Sequence, residues 1–318
     1  MCAPNRWPLS LTFILLLVGM LGAAPVLATP PPNNRHIAVV VNDLGNTYFQ
    51  TLASSVRNTA REIIGADAQV TVVSSGYDVT RQRQQLQQIL ASDAGLVVLT
   101  AAQPDALRDS VQALRDAGRM VVAVDVAALG AHLTITTDNY DAGYQSCQHL
   151  AAALGGAGDI AILDGPPVSS IVERLSGCQA ALAEFPGVQI IDRENSGASY
   201  VGGLEAMSRL LTRHPSLAGV FSINDPASLG AEAAAAYQQR PVLIASVDGS
   251  PAVVEALARG DGLLLNTAAQ FPQEIGERAV RIGLQTLEDG VRDIGTMLIP
   301  VELITADNVT SYCVWSRC

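Results

Sequence analysis

Lysine is absent from this chain of 318 residues, in which the 19 basic residues are all arginine. The 30 acidic residues outnumber them and give a formal net charge of −11 at neutral pH. Proteins that bind nucleic acids or anionic membranes usually carry a cluster of basic residues on one face. We therefore expect neither partner, and the negative charge by itself is explained by a need for solubility.

The sequence also lacks the local signatures of common enzymes. It contains no G-x-S-x-G elbow and no Walker loop. The glycine-rich segment at 154–160 precedes a predicted strand instead of following one, which is typical of a turn and not of a nucleotide-binding loop. The four histidines show no metal-ligand spacing. We therefore expect no catalytic residues, no cofactor and no metal site.

Long hydrophobic runs are missing, with one exception near the N-terminus. Arg6 precedes an apolar run from Leu9 to Val18, and the sequence Val26-Leu27-Ala28 follows. A basic start, a short apolar run and small residues at its end predict a cleavable signal peptide over residues 1–28. The run is shorter than the ~20 residues of a spanning helix, although an uncleaved anchor is the alternative. Because Cys2 precedes the run, it is not a lipoprotein cysteine.

What the chain does contain is a repeated alternation of apolar strands and amphipathic segments. Its length favours two lobes, and its 49% apolar composition suffices for two cores. Buried strands are predicted at Ile37–Val41, Gln69–Ser74, Gly95–Thr100, Met120–Asp125, Asp159–Leu163, Val188–Asp192, Gly219–Ile223, Val242–Val247 and Gly262–Thr267. Helical spacing of apolar residues between most of them predicts βαβ units, and therefore an α/β fold with two parallel sheets.

The alternation is interrupted at residues 133–140, where we place the first lobe boundary at Thr137-Asp138. A helix is predicted at Ala142–Leu154, and the second series of strands and helices runs to about Gln270. The helix Glu274–Leu287 and the strand Met297–Leu303 are left over. One use for them is a return to the first lobe, which would make a hinge of several strands.

Polar residues recur where the predicted strands end. Each alone could simply cap the next helix or close a turn. In parallel sheets, however, the carboxyl ends of the strands lie on one side, where ligands bind. The residues concerned are Asn42, Thr100, Asp125, Asn224, Asp248 and Gln270, and the rings of Tyr48 and Phe49 follow the first of them. Two facing sheets would thus form a cleft of carboxylates, amides and rings that suits a polyhydroxylated ligand.

Several sequence blocks resemble a known family. They are VNDLGNTYF at 41–49, VD at 124–125, TTDNYDAG at 136–143, GPPVSS with ER and GC between 165 and 178, FSINDPASLGA at 221–231, ASVDGSP at 245–251 and TAAQ at 267–270. In order and spacing they are similar to the ribose-binding-protein-like periplasmic binding proteins of ABC importers, from about Ile37 to Asn308. The resemblance implies two Rossmann-like lobes joined by a three-segment hinge, with a sugar closed between them. The lobes would comprise residues 36–137 with 271–301 and residues 138–270 with 302–318.

The resemblance also assigns ligand-binding roles. Matching positions in the family bind the sugar, and they correspond here to Asn42, Asn46, Tyr48, Phe49, Asp125, Arg174, Asn224, Asp248 and Gln270. Thr100 completes the predicted ligand-binding set because of its place at a strand end. Some positions depart from the ribose binders, which have Arg where Val126 stands, Asn where Thr100 stands and Phe where Val247 stands. A stacking ring expected near Ala198 is also missing. These departures make another pentose, a hexose, a sugar alcohol or another polyol as compatible with the site as ribose.

Without Cys2, four cysteines remain, and an oxidising compartment permits two disulfides in three possible pairings. Cys147 and Cys178 lie on successive predicted helices of the second lobe, so they can pair, or they can remain as buried thiols. Cys313 and Cys318 could close a small loop near the C-terminus or stay free.

The expected function is therefore that of a periplasmic solute-binding protein. It would be a monomer that captures a monosaccharide or sugar alcohol and delivers it to an inner-membrane ABC permease. A sensory receptor of the same fold, which reports to a membrane kinase or chemoreceptor, is the alternative. An exported hydrolase or isomerase is a third hypothesis, against which the missing enzyme motifs weigh. The predicted signal peptide discriminates strongly against a sugar-responsive repressor of the same fold, because it occupies the end where the DNA-binding helices would have to be.

Overall fold

The computed structural model describes residues 1–2, 29–260 and 262–315. The predicted signal peptide lies almost wholly outside the described residues. The strands are β1 Asn33–Val41, β2 Gln69–Ser74, β3 Ala94–Leu99, β4 Met120–Val124, β5 Leu133–Thr137, β6 Ala157–Asp164, β7 Gly187–Asn195, β8 Gly219–Ser222, β9 Leu243–Asp248, β10 Leu264–Ala269, β11 Gly295–Ile299 and β12 Glu302–Thr305. The helices are α1 Thr47–Ile64, α2 Val79–Leu90, α3 Arg108–Asp116, α4 Asn139–Ala153, α5 Ser169–Leu182, α6 Tyr200–Arg213, α7 Asp225–Tyr237, α8 Pro251–Arg259 and α9 Pro272–Asp289.

The strands form two sheets of six, one in each lobe. The first sheet has the order β11-β5-β4-β3-β1-β2, and its neighbouring strands are all parallel. The second has the order β12-β10-β9-β8-β6-β7. The predicted α/β fold with two Rossmann-like lobes is confirmed, although the second sheet is not wholly parallel because β12 runs antiparallel to β10.

The central strands are buried on both faces, as their continuous apolar sequences require. In the first sheet, Val39 of β1 lies between Val72 of β2 and Val98 of β3. Polar side chains then cap the helices that follow the strands: Asn46 accepts a hydrogen bond from the backbone N–H of Tyr48, and Asn224 accepts one from that of Ala227. These caps place the first helical turns beside the carboxyl ends of the strands.

The prediction of one strand at Met297–Leu303 was wrong. Strand β11 ends at Ile299 in the first sheet, and β12 begins at Glu302 in the second. Pro300 lies between them, and its missing N–H interrupts the hydrogen bonding that a continuous strand would need. The residues of β5 were also predicted only as an irregular boundary, whereas they form a strand of the first sheet.

The chain passes between the two sheets three times. The crossings lie between β5 and α4, between β10 and α9, and between β11 and β12. Helix α9 returns to the first lobe, where it packs along α1 and against β3 and β4. The predicted three-segment hinge therefore joins the lobes.

Helices α4 and α5 of the second lobe pack unusually closely. A Cβ atom on Gly143 of α4 would lie 1.9 Å from the carbonyl oxygen of Arg174 on α5, and one on Gly177 would lie 1.9 Å from that of Tyr140. A disulfide joins Cys147 to Cys178 across the same pair of helices, with 5.0 Å between their Cα atoms. Closing a loop of this length stabilises a protein by roughly 3–4 kcal/mol in the chain-entropy description. The pair thus forms a rigid base for Arg174.

At the C-terminal end, Cys313 is disulfide-bonded. Cys318, its predicted partner, lies outside the described residues. Within the part of the chain that is described, we find no helix that combines the length and the hydrophobicity needed to cross a membrane.

Candidate functional site

A cavity of about 410 Å³ of atom-free space lies between the two lobes, at the carboxyl ends of their strands. The first lobe supplies Asn46, Tyr48, Phe49, Tyr77, Asp125 and Val126 to its lining. The second lobe and the hinge supply Val168, Ser170, Ile171, Arg174, Ala198, Ile223, Asn224, Asp248 and Gln270. Eight of the ten residues that the sequence predicted are therefore brought together around one space.

Asn42 and Thr100 are the two predicted residues that do not line this cavity. Both are completely buried inside the first lobe. The Asn42 side chain donates to the carbonyl oxygen of Ala101 at 3.2 Å and accepts from the Ser75 hydroxyl at 3.0 Å, so it joins neighbouring strand ends. Thr100 contributes its carbonyl oxygen to the Gln82 side-chain amide at 2.8 Å. In this arrangement both residues belong to the interior of the first lobe and not to the cavity lining.

The first wall is built on the start of helix α1. Asn46 caps the helix, with 2.9 Å between its Oδ1 atom and the backbone nitrogen of Tyr48. Tyr48 and Phe49 occupy the first turn, and their rings meet edge to face with 5.3 Å between centroids. The Tyr48 hydroxyl is buried and forms no hydrogen bond of standard geometry with any described group. Burial, with Asp125 as the next cause, raises its pKa. The hydroxyl therefore stays protonated beside the Asp125 carboxyl.

Asp125 follows strand β4 and has a positive φ of 64°, which is uncommon for a residue other than glycine. This backbone conformation is held because the Thr136 hydroxyl donates to the carbonyl oxygen of Asp125 at 2.7 Å. Burial raises the pKa of the Asp125 carboxyl to about 6, although Arg174 and then the Tyr48 hydroxyl act in the opposite direction. A carboxylate so poorly solvated would gain from the hydroxyl donors of a ligand.

Arg174 extends into the cavity from helix α5. Its Nε atom donates to the Asn139 side-chain oxygen at 2.9 Å, and its Nη1 atom donates to the carbonyl oxygen of Ile223 at 2.8 Å. The same Nη1 atom lies 3.5 Å from Oδ1 of Asp248, which makes a buried ion pair. The guanidinium is therefore held on several sides, as a preorganised donor at the cavity wall.

Asp248 and Gln270 connect the second lobe to the hinge. The Gln270 amide donates to Oδ1 of Asp248 at 2.7 Å, and its own oxygen accepts from the Thr137 hydroxyl at 2.8 Å. Burial raises the pKa of Asp248 to about 7; Arg174 lowers it, and the neighbouring Asp225 raises it. Since Thr137 and Gln270 lie on two different hinge crossings, this network joins the ligand cleft to the hinge.

Asp225 is a buried carboxylate that the sequence did not single out. Its oxygens accept hydrogen bonds from the Ser246 hydroxyl at 2.7 Å, the Thr267 hydroxyl at 2.8 Å and the Ser250 backbone N–H at 2.7 Å. Asp225 does not line the cavity. Both of its carboxylate oxygens accept hydrogen bonds, and the residue supports the neighbouring Asp248.

Asn224 is both a helix cap and a cavity-lining residue, the two roles that the sequence left open. Its oxygen caps helix α7 at 3.2 Å from the Ala227 nitrogen, and its amide donates to the carbonyl oxygen of Ala198 at 3.0 Å. It nevertheless lines the cavity. Like Asn46, it is a helix cap whose side chain remains next to the ligand space.

Tyr77 is the main residue of the lining that sequence reasoning missed. It follows strand β2 with a positive φ of 59°, and burial raises the pKa of its hydroxyl. The rule that polar residues at strand ends line a cleft would have found it.

Among the departures from the ribose binders, Val126 and Ala198 do line the cavity, whereas Val247 is buried in the core.

These groups are equipped to bind a polar ligand. Carboxylates accept hydrogen bonds from hydroxyl groups, the guanidinium donates them, and the rings can cover an apolar face of a ligand. Within the described ranges, no group of three or more histidine, cysteine or acidic side chains is arranged to hold a metal ion. Two α/β lobes with such a cleft between them define a two-lobed ligand-binding protein.

The chain belongs to the periplasmic binding protein family, since the family described as periplasmic binding protein domain matches residues 37–290. It is 24% identical to the ribose import binding protein of Bacillus subtilis over 303 residues, which cover 93% of this chain and 97% of the relative. It is 27% identical to a xylitol-binding protein of Mycolicibacterium smegmatis over 244 residues, covering 74% of this chain and 68% of the relative. The solved structure of an ABC transporter solute-binding protein from Bacillus halodurans with bound myo-inositol superposes with a TM-score of 0.81. In that comparison the identity is 22%, and the alignment covers 89% of this chain and 99% of the other.

Proposed function

We propose that this protein is the solute-binding component of an ABC importer, which captures a monosaccharide or sugar alcohol between its lobes and delivers it to a membrane permease. One observation carries the proposal: acceptor carboxylates of both lobes, a guanidinium donor of the second and three aromatic rings of the first converge on one cavity between the lobes. Relatives named for ribose and xylitol support this ligand class. The protein binds its ligand without converting it.

The cavity favours a neutral ligand. Two carboxyl groups, Asp125 and Asp248, line it beside one guanidinium, Arg174. A ligand that carried its own carboxylate would add a negative charge next to buried acceptors, which is unfavourable at low dielectric. Hydroxyl groups instead donate to these carboxylates, and a charge-assisted hydrogen bond contributes roughly 1.5–3 kcal/mol. Three or four such contacts contribute roughly 5–12 kcal/mol, a range that includes the roughly 8 kcal/mol of a micromolar complex before ordering costs are subtracted.

The remaining features of the proposal concern the whole chain. Residues 1–28 act as a cleavable signal peptide, and the mature protein is a periplasmic monomer. Its first lobe comprises residues 36–137 and 271–301, and its second comprises residues 138–270 and 302–318. The crossings of the chain between the two sheets support these bounds.

A thermal-shift screen of the purified protein tests the ligand class. The panel contains D-ribose, xylitol and myo-inositol, with sugar acids, amino acids and short peptides for comparison. We expect at least one neutral sugar or polyol to raise the melting temperature, because a ligand that binds only the folded state stabilises it. Stabilisation by amino acids or peptides alone would refute the proposed class. Isothermal titration calorimetry on each positive compound then gives its affinity.

A further inference from the structure

The C-terminal segment, residues 309–315, returns to the rear of the ligand cleft. It follows strand β12 with a short 3₁₀ turn at Val309–Ser311. Tyr312 and Trp315 beyond it are buried, with 8% and 4% of their surfaces exposed, and Trp315 has a positive φ of 60°. Neither residue lines the cavity itself. A buried tryptophan in this strained conformation must be held by its surroundings.

The segment fixes the backbone that carries Asp248. The Trp315 indole Nε1–H donates to the carbonyl oxygen of Asp248 at 2.9 Å. The Tyr312 hydroxyl donates to the carbonyl oxygen of Gly249 at 3.2 Å and accepts from the Trp315 backbone N–H at 2.9 Å. Asp248 and Gly249 both have positive φ, at 137° and 68°. Two side chains of the segment thus hold a strained turn whose carboxylate faces the cavity on its other side.

The same tryptophan also contacts the opposite lobe. Its ring meets the Tyr48 ring edge to face, with 6.3 Å between centroids and 89° between planes. Tyr48 in turn meets Phe49 in the same manner. Trp315 therefore contacts both sides of the cleft: Asp248 in the second lobe, and the aromatic wall of Tyr48 and Phe49 in the first.

We propose that Trp315 is a positioning residue of the ligand site, which holds the Asp248 carboxylate and the Tyr48 ring in the arrangement that binds a polyhydroxylated ligand. This inference rests on the proposed function. Because the contact with Tyr48 crosses between the lobes, it forms when the lobes close and is lost when they open. Trp315 therefore couples the position of the C-terminal segment to ligand capture without touching the ligand.

Calorimetric titrations with D-ribose, xylitol and myo-inositol test the proposal on the full chain. We expect Trp315→Leu to weaken the binding of whichever probe the wild type binds by about tenfold, the effect of losing one hydrogen bond and one aromatic contact. Tyr237→Leu, at a side chain 90% exposed and outside the cavity lining, is the control and should bind as the wild type does. If Trp315→Leu does not fold, Trp315→Phe replaces it, since it keeps a ring and loses only the hydrogen bond to Asp248. Wild-type affinity in the variant used would overturn the proposal.

A double-mutant cycle separates positioning from a general loss of stability. If Trp315 acts through Tyr48, the loss caused by Trp315→Leu should be clearly smaller in a Tyr48→Leu background than in the wild type. Fully additive losses of affinity would overturn the proposal. If none of the three probes binds the wild type by calorimetry, but an amino acid or peptide does, the proposed function fails and this inference falls with it. Probe binding by the wild type with no effect of the Trp315 variant rejects this inference alone.

Tryptophan fluorescence gives a second readout. The emission of a tryptophan with a purely structural role would not respond to the ligand. The sequence contains two tryptophans, Trp7 and Trp315, so in a Trp7→Phe variant of the full chain the emission comes from Trp315 alone. We expect saturation with a bound probe to shift or quench this emission, because lobe closure changes the contact with Tyr48. Emission that is identical with and without a calorimetrically proven ligand would contradict the proposed link.

Discussion

The buried carboxyl groups are the individual residues on which the cleft depends most. Desolvation raises the pKa of Asp125 to about 6 and that of Asp248 to about 7, even though Arg174 attracts both. The empty cleft therefore carries an electrostatic cost that hydrogen bonds from a ligand would offset. Such stored cost is typical of sites in which function is retained at the expense of stability.

Asp125→Asn should stabilise the protein without ligand at pH 8. The Asp125 pKa is about 6 in the folded state and about 4 when unfolded, so the folded protein holds the extra proton between these values. Stability contributed by this group is therefore present below about pH 4 and is lost as the pH rises through 6. We expect the variant to gain up to a few kcal/mol over the wild type at pH 8 and much less at pH 4.5.

Urea denaturation at the two pH values measures this difference. Asp105→Asn, at an exposed position, is the matched control and should show no such dependence on pH. The stabilised Asp125→Asn variant should at the same time bind its ligand more weakly, since it loses a charged acceptor. An equal effect of Asp125→Asn at both pH values would contradict the explanation by desolvation.

Phe49→Ala should weaken ligand binding at least tenfold, or by about 1.4 kcal/mol. The Phe49 ring lines the cavity and packs against Tyr48, and no ring replaces it at Ala198 on the opposite side. Titration calorimetry measures the affinity. Phe185→Ala provides the control, because that ring packs in the second lobe away from the cavity lining and should affect stability more than affinity. Unchanged affinity in Phe49→Ala would remove this ring from the site.

Among helices and strands, the spacing between α4 and α5 determines where Arg174 lies. Gly143→Ala would place a methyl group 1.9 Å from the carbonyl oxygen of Arg174, a clash with backbone that only a shift of the helices can relieve. Asn139, which holds the guanidinium, lies on α4 and would move with it. We therefore expect Gly143→Ala to lower both the stability and the affinity, with the affinity falling by roughly tenfold or more since a buried charged pair is disturbed.

Gly276→Ala is the comparison for this variant. Its Cβ atom would lie 2.8 Å from the carbonyl oxygen of Leu52, between α9 and α1 of the first lobe. It should lower the melting temperature, but the folded protein should retain its affinity in calorimetry. Affinity that falls equally in both variants would mean that packing in general, and not the position of Arg174, controls binding.

The strands were predictable because their apolar runs are long and bounded by turn residues. The division of Met297–Leu303 into two strands was not predictable from the sequence. Ile299, Val301 and Leu303 continue an apolar pattern across Pro300, whereas the hydrogen-bonding partners change from one sheet to the other. Likewise, the position of Asn42 after a strand predicts a cleft residue, but its side-chain oxygen accepts a hydrogen bond from the Ser75 hydroxyl inside the first lobe. The contacts of Trp315 have no periodic signal at all, because they depend on the path of the chain after β12.

At the scale of the whole molecule, the cavity exists only because both lobes contribute to it. The backbone N–H of Ala127 in the first lobe donates to the Ser169 hydroxyl at the start of α5 in the second, at 3.1 Å. Thr137 and Gln270 join two hinge crossings in the same way. A ligand that contacts both walls binds the closed arrangement more tightly than an open one and therefore shifts the population towards it.

Small-angle X-ray scattering should consequently show a smaller radius of gyration when a thermally stabilising sugar or polyol is added. The value should approach about 19 Å, as for a compact chain of this length. A compound from the same panel that does not stabilise the protein should leave the scattering unchanged. Ser169→Ala removes one hydrogen bond between the lobes, worth about 1 kcal/mol, so it should weaken binding several-fold and leave the saturated protein equally compact. A radius that stays constant on saturation would mean that the ligand enters a cleft already closed, and that closure is not the step that captures it.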